Sequence, residues 1–430
     1  MSADIEVVPS TNRKNAFRRR GLLAAAVAVA VLARVFMFDH QSLDYIAFIK
    51  RWYDFIAANG GFGALKHSFS DYNVPYLYLL AALTHTPIPV LAGVKIISVA
   101  FDLVLAFFVY RIVALRRPGG WLPPVAALVV LLLPTVATNS ALWGQADAIY
   151  AAFSLGGIYF VLRRRPWLAC VFFGLALAFK LQAVFVFPLL LVLALRKWLP
   201  WRALPVVPAV VLLLDVPALL AGAPLKQLLS IYVQQAGSYQ ALSLRAPSIY
   251  QFFPAGADAA VIRPIGVAVT GLVVLGLVAA VVLRRATLNP ARIVLMATVS
   301  AILVPFLLPS MHERYFYLGE VLTVVAACYL PRRLWYVPVL VQGAVFPAYL
   351  DVLFPKGMGK GGQPGMIIGQ APPGGVATPP PGGGRGPVIM GGGPGTSMYE
   401  PTLEYRILAA LMALAVISVL CTAWREFRRS

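Results

Sequence analysis

The sequence predicts an all-α, polytopic membrane protein of about twelve transmembrane helices, with an external loop that forms an amphipathic helix. Three observations predict it. Sixty per cent of the 430 residues are hydrophobic, only 12% are charged, and the mean hydropathy is +0.80, far from the composition of soluble globular domains. Apolar stretches recur at close to the roughly 17 to 25 residues that a helix needs to cross a bilayer. Paired cations recur between those stretches, as expected of loops that stay on the cytoplasmic side.

The first apolar stretch, 21–38, follows the basic run "NAFRRR". Such a pair could be the start of a signal peptide. Its length, the presence of Arg34 and the lack of a small-residue cleavage site favour a retained span. Further spans are expected near 93–114, 121–139, 147–162, 167–180, 183–196, 203–222, 264–283, 293–309, 316–330, 334–352 and 404–423. The basic clusters are Arg18 to Arg20, Arg116 and Arg117, Arg163 to Arg165, Arg196 and Lys197, Arg284 and Arg285, Arg332 and Arg333, and Arg428 and Arg429. With a cytoplasmic N-terminus and alternating spans, all of them fall on the cytoplasmic side, provided that "VPYLYLLAALTHTPIPV" (Val74 to Val90) does not cross. The net charge of +20 is then a matter of membrane orientation, and no nucleic-acid partner is expected. Cys170, Cys328 and Cys421 lie singly in apolar segments, without metal-ligand spacing, and are expected to pack rather than to pair.

Four regions follow. Residues 1–20 form a basic cytoplasmic N-terminus, and 21–353 form the transmembrane domain with external loops at 39–92, 140–147, 223–263 and 310–315. Residues 354–400 are rich in Gly and Pro and are expected to be a disordered external loop, because such a segment has too little apolar surface to offset its ordering entropy. Residues 401–430 supply the last transmembrane helix and a basic tail.

The polar residues sort to the external face. In "HQSLDYIAFIKRWYDFIAANGG" (His40 to Gly61), a helix would put Tyr45, Phe48, Ile49, Trp52, Phe55 and Ile56 on one side and Asp44, Arg51 and Asp54 on the other. That pattern fits a helix lying at the bilayer surface with its aromatics among the headgroups. "FSDYNVPYLYLL" adds Asp71 and Tyr72, although an Asp there is equally a turn former. "NSALWGQADAIYAAF" adds Trp143, Gln145 and Asp147, where a belt tryptophan and a helix-capping carboxylate are the plain alternatives. Lys180 in "LALAFKLQAVF" can snorkel, and Arg245 lies in the long loop after the seventh span. "PSMHERYFYLGE" carries His312, Glu313 and Arg314 and is not the zinc-binding HExxH pattern, because Phe316 stands where the second His is needed. Arg34, Asp102 and Asp215 lie within spans and need partners or a cavity. No phosphate-binding glycine loop precedes a helix, so a nucleotide-driven pump is unsupported.

Taken in order, "LDYIAFIKRWYDFI", "SDYNVPYLYLL", "NSALWGQADAIYAAF", "GLALAFKLQAVFVFPLLL" and "MHERYFY" resemble the bacterial membrane glycosyltransferases related to the GPI mannosyltransferases, within the GT-C fold class. The resemblance covers roughly Arg34 to Leu350, and the Gly/Pro-rich insertion departs from it. It implies transfer of a mannose-like hexose from a polyprenyl phosphate donor to a glycan, glycolipid or protein acceptor, at the external face of the plasma membrane. It makes Asp44 the base, with Asp39 in reserve. On charge and order, Asp71, Tyr72, Trp143, Gln145 and Asp147 are assigned to the acceptor side, and Lys180, Arg245, His312 and Arg314 to the donor phosphate. A single displacement would invert the anomeric centre. A divalent metal, Mg or Mn, could assist through the carboxylates, but no spacing requires one. Membrane lipids are the other expected partners. The competing classes are a transporter or flippase of lipid-linked sugars and a non-catalytic scaffold of a glycan-assembly complex. Clustering of the acidic and aromatic groups at one face, and the absence of paired interrupted helices in two repeats, speak against transport.

Overall fold

The computed structural model describes residues 10–354 and 401–428. The expected Gly/Pro-rich loop therefore lies, apart from Phe354, outside the described residues. The chain runs through α1 (Ser10–Val35), α2 (Lys50–Ala58), α3 (Val74–Leu83), α4 (Val90–Arg116), α5 (Leu122–Leu132), α6 (Pro134–Ala137), α7 (Asp147–Leu162), α8 (Pro166–Phe179) and α9 (Phe187–Leu195). It continues through α10 (Val206–Leu220), α11 (Leu225–Gly237), α12 (Ala259–Leu283), α13 (Pro290–Leu307), α14 (Tyr317–Tyr329), α15 (Pro331–Leu334), α16 (Val337–Leu353) and α17 (Leu403–Arg428). Two-residue strands, β1 (Ser243–Leu244) and β2 (Met311–His312), form the one small sheet among the described residues.

Each of the twelve expected segments is helical, and the chain is an all-α polytopic membrane protein. Five helices are individually long and apolar enough to cross a bilayer: Val90–Arg116, Trp201–Leu220, Ala259–Leu283, Pro290–Leu307 and Leu403–Arg428. A sixth span is the pair Leu122–Leu132 and Pro134–Trp143, bent by 56°. The remaining segments are shorter; α7 has 16 residues and α8 has 14. At about 1.5 Å per residue, α8 covers about 21 Å, less than the hydrocarbon thickness. α7 is buried along most of its length, whereas α8 leaves Trp167 and Leu168 exposed near its start. Gly156 and Gly157 bring α7 close to α8, where a Cβ would meet the rings of Phe172 and Phe173 at 2.2 and 2.7 Å.

The bend in the α5–α6 span has a local cause. Pro134 has no amide proton and restricts the residue before it to extended backbone, so Leu133 sits at φ −56° and ψ 127° and α6 restarts with Pro134 in its first turn. A π-helical turn, Thr138–Trp143, follows and is ended by Gly144 at φ 77°. The break exposes polar backbone inside the bundle, and side chains meet it. Arg34 donates to the Leu131 carbonyl at 2.6 Å, and the Thr135 amide donates to Gln342 at 3.4 Å. Asp102 accepts from Arg34 at 2.9 Å and from Ser140 at 2.6 Å, while Glu320 accepts from Thr135 and from Gln342. Arg34 and Asp102 thus receive the partners that charges inside a span require.

Several of the basic clusters meet at one end of the bundle. Arg164 stacks on Trp198, Arg284 lies over Trp424, and Arg333 pairs with Glu426. Arg196 donates to the carbonyls of Val281 and Ala286, and Arg292 to that of Glu426. Alternating spans require this convergence if the clusters share one side. Within the segment Val74 to Val90, α3 has 10 residues, about 15 Å, half the hydrocarbon thickness. It packs inside protein, where the Tyr78 hydroxyl donates to the Leu214 carbonyl and accepts from the Ala218 amide.

The amphipathic segment departs from expectation in two ways. Tyr45, Ile49, Trp52 and Ile56 are buried against α3 and its neighbours instead of lying among headgroups, with Trp52 5.1 Å from the Tyr72 ring. In addition, residues Tyr45–Ile49 form a π-helical turn before α2, and Asp44 does not share a face with Asp54. Asp54 pairs with Lys50 in the open, whereas Asp44 points into the bundle end.

Replacing Arg34 by Leu is expected to destabilise the protein by about 3–5 kcal/mol, because Asp102 would stay buried without its cation. Adding Asp102→Leu should recover much of that loss, as read by thermal unfolding of the purified protein. Sidedness is checked with Gly63→Cys and Arg202→Cys in a background lacking the three native cysteines. An impermeant thiol reagent applied outside should label only the former, and labelling of both or of Arg202→Cys alone would overturn the orientation.

Candidate active site

The site lies at the bundle end opposite the basic clusters and is built by five loops. The break at Pro134 and the π turn after it carry Trp143 and Gln145 toward Asp44. Asp44 Oδ2 accepts from Trp143 Nε1 at 3.1 Å and from Gln145 Nε2 at 2.5 Å, and lies 3.7 Å from Arg314. No described residue donates to Oδ1, and the side chain keeps 28% of its exposure. Ser42 Oγ donates to the Trp143 carbonyl at 2.7 Å, tying the Asp44 turn to the same loop. The Tyr72 hydroxyl donates to Gln145 Oε1 at 3.4 Å, so the 70–73 loop joins the cluster.

A second acid–base pair stands beside it. α8 stops at Lys180, whose backbone is extended, before a 3₁₀ turn begins at Leu181. That break directs Lys180 Nζ to Asp147 Oδ1 at 2.5 Å and to 5.7 Å from the centre of the Tyr72 ring. Asp147 is fully buried in the first turn of α7 and also accepts from Asn139 at 2.9 Å. It does not cap its helix; its carboxylate is committed to Lys180 and Asn139.

The third component comes from the turn between α13 and α14. The parallel ladder pairs Ser243 with Met311 and Leu244 with His312, and the Ser310 amide donates to the Leu242 carbonyl at 2.8 Å. Arg245 and Ser310 hold left-handed backbone, at φ 64° and 61°, a conformation that costs a non-glycine residue on the order of 1–3 kcal/mol and persists only where surroundings fix it. Arg245 is fixed by Asp351, whose Oδ2 lies 3.5 Å away and also accepts from Tyr405 at 2.9 Å. His312 is wedged between the rings of Tyr239 and Tyr315, at 4.7 and 5.2 Å. Arg314 lies 5.3 Å from the centre of the Trp143 ring and 3.4 Å from Glu313.

Burial and neighbouring charge set the protonation of this turn. Burial raises the Glu313 carboxyl to about 7, against the lowering influence of Arg314. Burial, with the charges of Arg314 and Lys180, pushes His312 well below the usual imidazole range. The 3.9 Å approach of His312 to Glu313 is therefore not an ion pair, and the positive charge of the site comes from Arg314 and Lys180. His312 Nε2 is buried without a hydrogen-bond partner.

Asp44, Tyr72, Trp143, Gln145, Asp147, Lys180, His312 and Arg314 are thus brought together, and Asp71 is close enough to feel the charges of Asp44, Arg314 and Lys180. Arg245 stands further out, in its pair with Asp351. Asp39 is exposed beside Lys95. Reading the sequence alone did not assign Asn139, Glu313, Tyr239 or Asp351 to the site. Glu313 was visible within "MHERYFY" and Asn139 opens "NSALWGQADAIYAAF", but Tyr239 and Asp351 had no signal in their own segments. Among the described residues no three His, Cys, Asp or Glu side chains converge as metal ligands.

Comparison with known proteins bears on the same residues. No curated protein matches the chain. The sequence model of glycosyltransferase family 87 matches residues 69–310, which holds Tyr72, the tryptophan loop, Lys180 and Arg245 and stops short of Asp44 and His312. The kinship suggested by the ordered motifs was to the GPI mannosyltransferases, and the match names family 87 instead. That match spans more than half of the 430 residues, and the chain belongs to glycosyltransferase family 87, as a multi-pass membrane glycosyltransferase.

Proposed function

We propose that the protein transfers a mannose-like hexose from a polyprenyl phosphate to a hydroxyl of a glycan, glycolipid or protein acceptor, at the external face of the plasma membrane. The observation that carries this reading is the partly exposed Asp44 carboxylate, with one oxygen held by Trp143, Gln145 and Arg314 and the other without a donor among the described residues. Asp44 Oδ1 takes the acceptor proton as the hydroxyl oxygen bonds to the anomeric carbon. The bond from that carbon to the phosphate oxygen breaks, and its electron pair leaves with the polyprenyl phosphate. Arg314 and Lys180 neutralise that charge. A single displacement inverts the anomeric configuration.

In this reading some roles change from those that charge and order suggested. Trp143 and Gln145 orient Asp44, while Asp147 and Asn139 aim Lys180. Neutral His312 offers Nε2 as a hydrogen-bonding group rather than as a cation.

The test is transfer from radiolabelled polyprenyl phosphate mannose to a lipid extract by protein in liposomes. Asp44→Asn, isosteric and able to keep the hydrogen bonds of its neighbours, should lower the rate by about 10²- to 10⁴-fold. A folded Asp44→Asn protein with an unchanged rate would sink the base assignment. A second expectation concerns pH. The Glu313 carboxyl is raised from 4.5 to about 7 in the folded protein, so it favours folding most below pH 4.5 and that contribution is lost as the pH rises through about 7. The melting temperature of the wild type should therefore fall relative to that of Glu313→Gln across this window and run parallel above it.

A further inference from the structure

α4 carries a polar ridge. Lys95, Ser98 and Asp102, spaced i, i+3 and i+7, share one face of the helix, and each is at most 1% exposed. Lys95 Nζ directs its three protons to three backbone carbonyls, those of Met37 and Phe38 at 2.9 Å and that of His40 at 2.6 Å. These carbonyls follow the end of α1 at Val35, where a helix leaves acceptors unmatched and a cation is favoured. Ser98 Oγ donates to the Gln145 carbonyl at 2.7 Å. Asp102 accepts from Arg34, near the end of α1, and from Ser140 in the π turn. Gly144 lies over the Lys95 stem, where a Cβ would meet Lys95 Cγ at 3.7 Å.

Both arms of the site are thus seated on one helix. The arm that brings in Asp44 has little packing of its own: Phe36, Asp39 and Gln41 are exposed, and Met37, Phe38 and His40 are partly buried. Apart from a ring contact of His40 with Phe354 at 5.4 Å, its fixed points are polar. They are the Lys95 ammonium and Ser42, whose Oγ donates to the Trp143 carbonyl and accepts from the Tyr45 amide at 3.2 Å. The opposing arm, held by Ser98 and Asp102, presents Trp143 and Gln145 to the Asp44 carboxylate. Carbonyls at a helix end are often met by water or by a closing turn, whereas an ionisable side chain buried in a span is costly and usually serves a site. An ammonium buried for this purpose points to a demand for position.

We propose that Lys95 and Ser98 are positioning residues for the transfer reaction: Lys95 sets where the Asp44 arm stands, and Ser98 sets the Gln145 arm that holds its carboxylate. The role rests on the transfer reading above. The experiment measures transfer from radiolabelled polyprenyl phosphate mannose by full-length protein in liposomes. It uses Lys95→Met, which keeps an unbranched side chain without its donors, and Ser98→Ala, each in the wild-type and the Asp44→Asn backgrounds. Lys95→Met should lower kcat about 10- to 100-fold and Ser98→Ala about threefold or more, with the donor KM within about twofold, because a displacement on the order of 1 Å suffices for such losses. In Asp44→Asn either change should alter the remaining rate by less than about twofold, because a residue that acts through Asp44 has no base left to position. Hydrogen exchange gives a reading independent of turnover: the Tyr45 and Ile46 amides, which donate to Ser42, should exchange at least about tenfold faster in Lys95→Met, with the amides of α13 unchanged. Should Lys95→Met fail to fold, Ser98→Ala decides by the same comparison of backgrounds. Full kcat in a folded variant, equal-fold losses in the two backgrounds, or unchanged exchange overturns the proposal and leaves the transfer reading in place. If wild type transfers nothing, the transfer reading falls and the part in catalysis with it, while faster exchange in Lys95→Met still establishes that Lys95 holds the Asp44 arm.

Discussion

The α5–α6 span cannot stay helical at Pro134, and much of the polar interior follows from that constraint. A chain crossing lipid must satisfy its backbone groups internally. The interruption leaves a carbonyl at Leu131 and an amide at Thr135 to be met by side chains, which Arg34 and Gln342 do. Arg34 then needs an anion, supplied by Asp102, and Asp102 is further bound by Ser140 from the π turn itself. Glu320 closes the other side by accepting from Thr135 and Gln342. One interruption therefore accounts for Arg34, Asp102, Glu320 and Gln342, which would otherwise be unexplained in an apolar bundle. It also frees the segment that swings Trp143 and Gln145 against Asp44.

The site combines charges of opposite sign without letting them cancel. Lys180 is held by Asp147 and Arg314 by Asp44 and Glu313, each at a distance set by a different helix break. Because Glu313 retains its proton up to about pH 7, Arg314 is opposed mainly by Asp44. In the proposed transfer its residual positive charge remains available to the leaving phosphate. Electrostatic stabilisation of a leaving group is worth most where the groups are fixed before the substrate arrives, and here they are fixed by packing between rings and by the short ladder that seats His312.

Much of this was legible in the sequence, for identifiable reasons. The helices were legible because apolar composition and span length leave few alternatives in a membrane, and the basic pairs marked which ends belong together. Asp44, Trp143, Gln145, Lys180 and Arg314 were legible because polar residues at the ends of apolar segments stand out. The aromatic face of the Tyr45–Ile56 segment was read correctly as a face, but its covering was not. Periodicity reports that a side is apolar and says nothing of whether lipid or α3 covers it. Asp351 and Tyr239 were not legible, because their roles arise from contacts between loops far apart in the chain. Asp215 was recognised as needing a partner or a cavity, and its Oδ2 is buried without a hydrogen-bond partner among the described residues.

Asp44 and one of the groups that hold its carboxylate both depend on π turns: Asp44 immediately precedes one, and Trp143 ends the other. A π turn holds one residue more than the α turn it replaces, so everything after it is rotated by about 100° relative to a regular helix. A single inserted or deleted codon in either turn is consequently enough to swing Asp44 or Trp143 out of the cluster while the flanking helices keep their packing. Related chains that have lost or changed activity should be sought by comparing the lengths of these two turns, in which every residue of the site can be retained and the site still be lost.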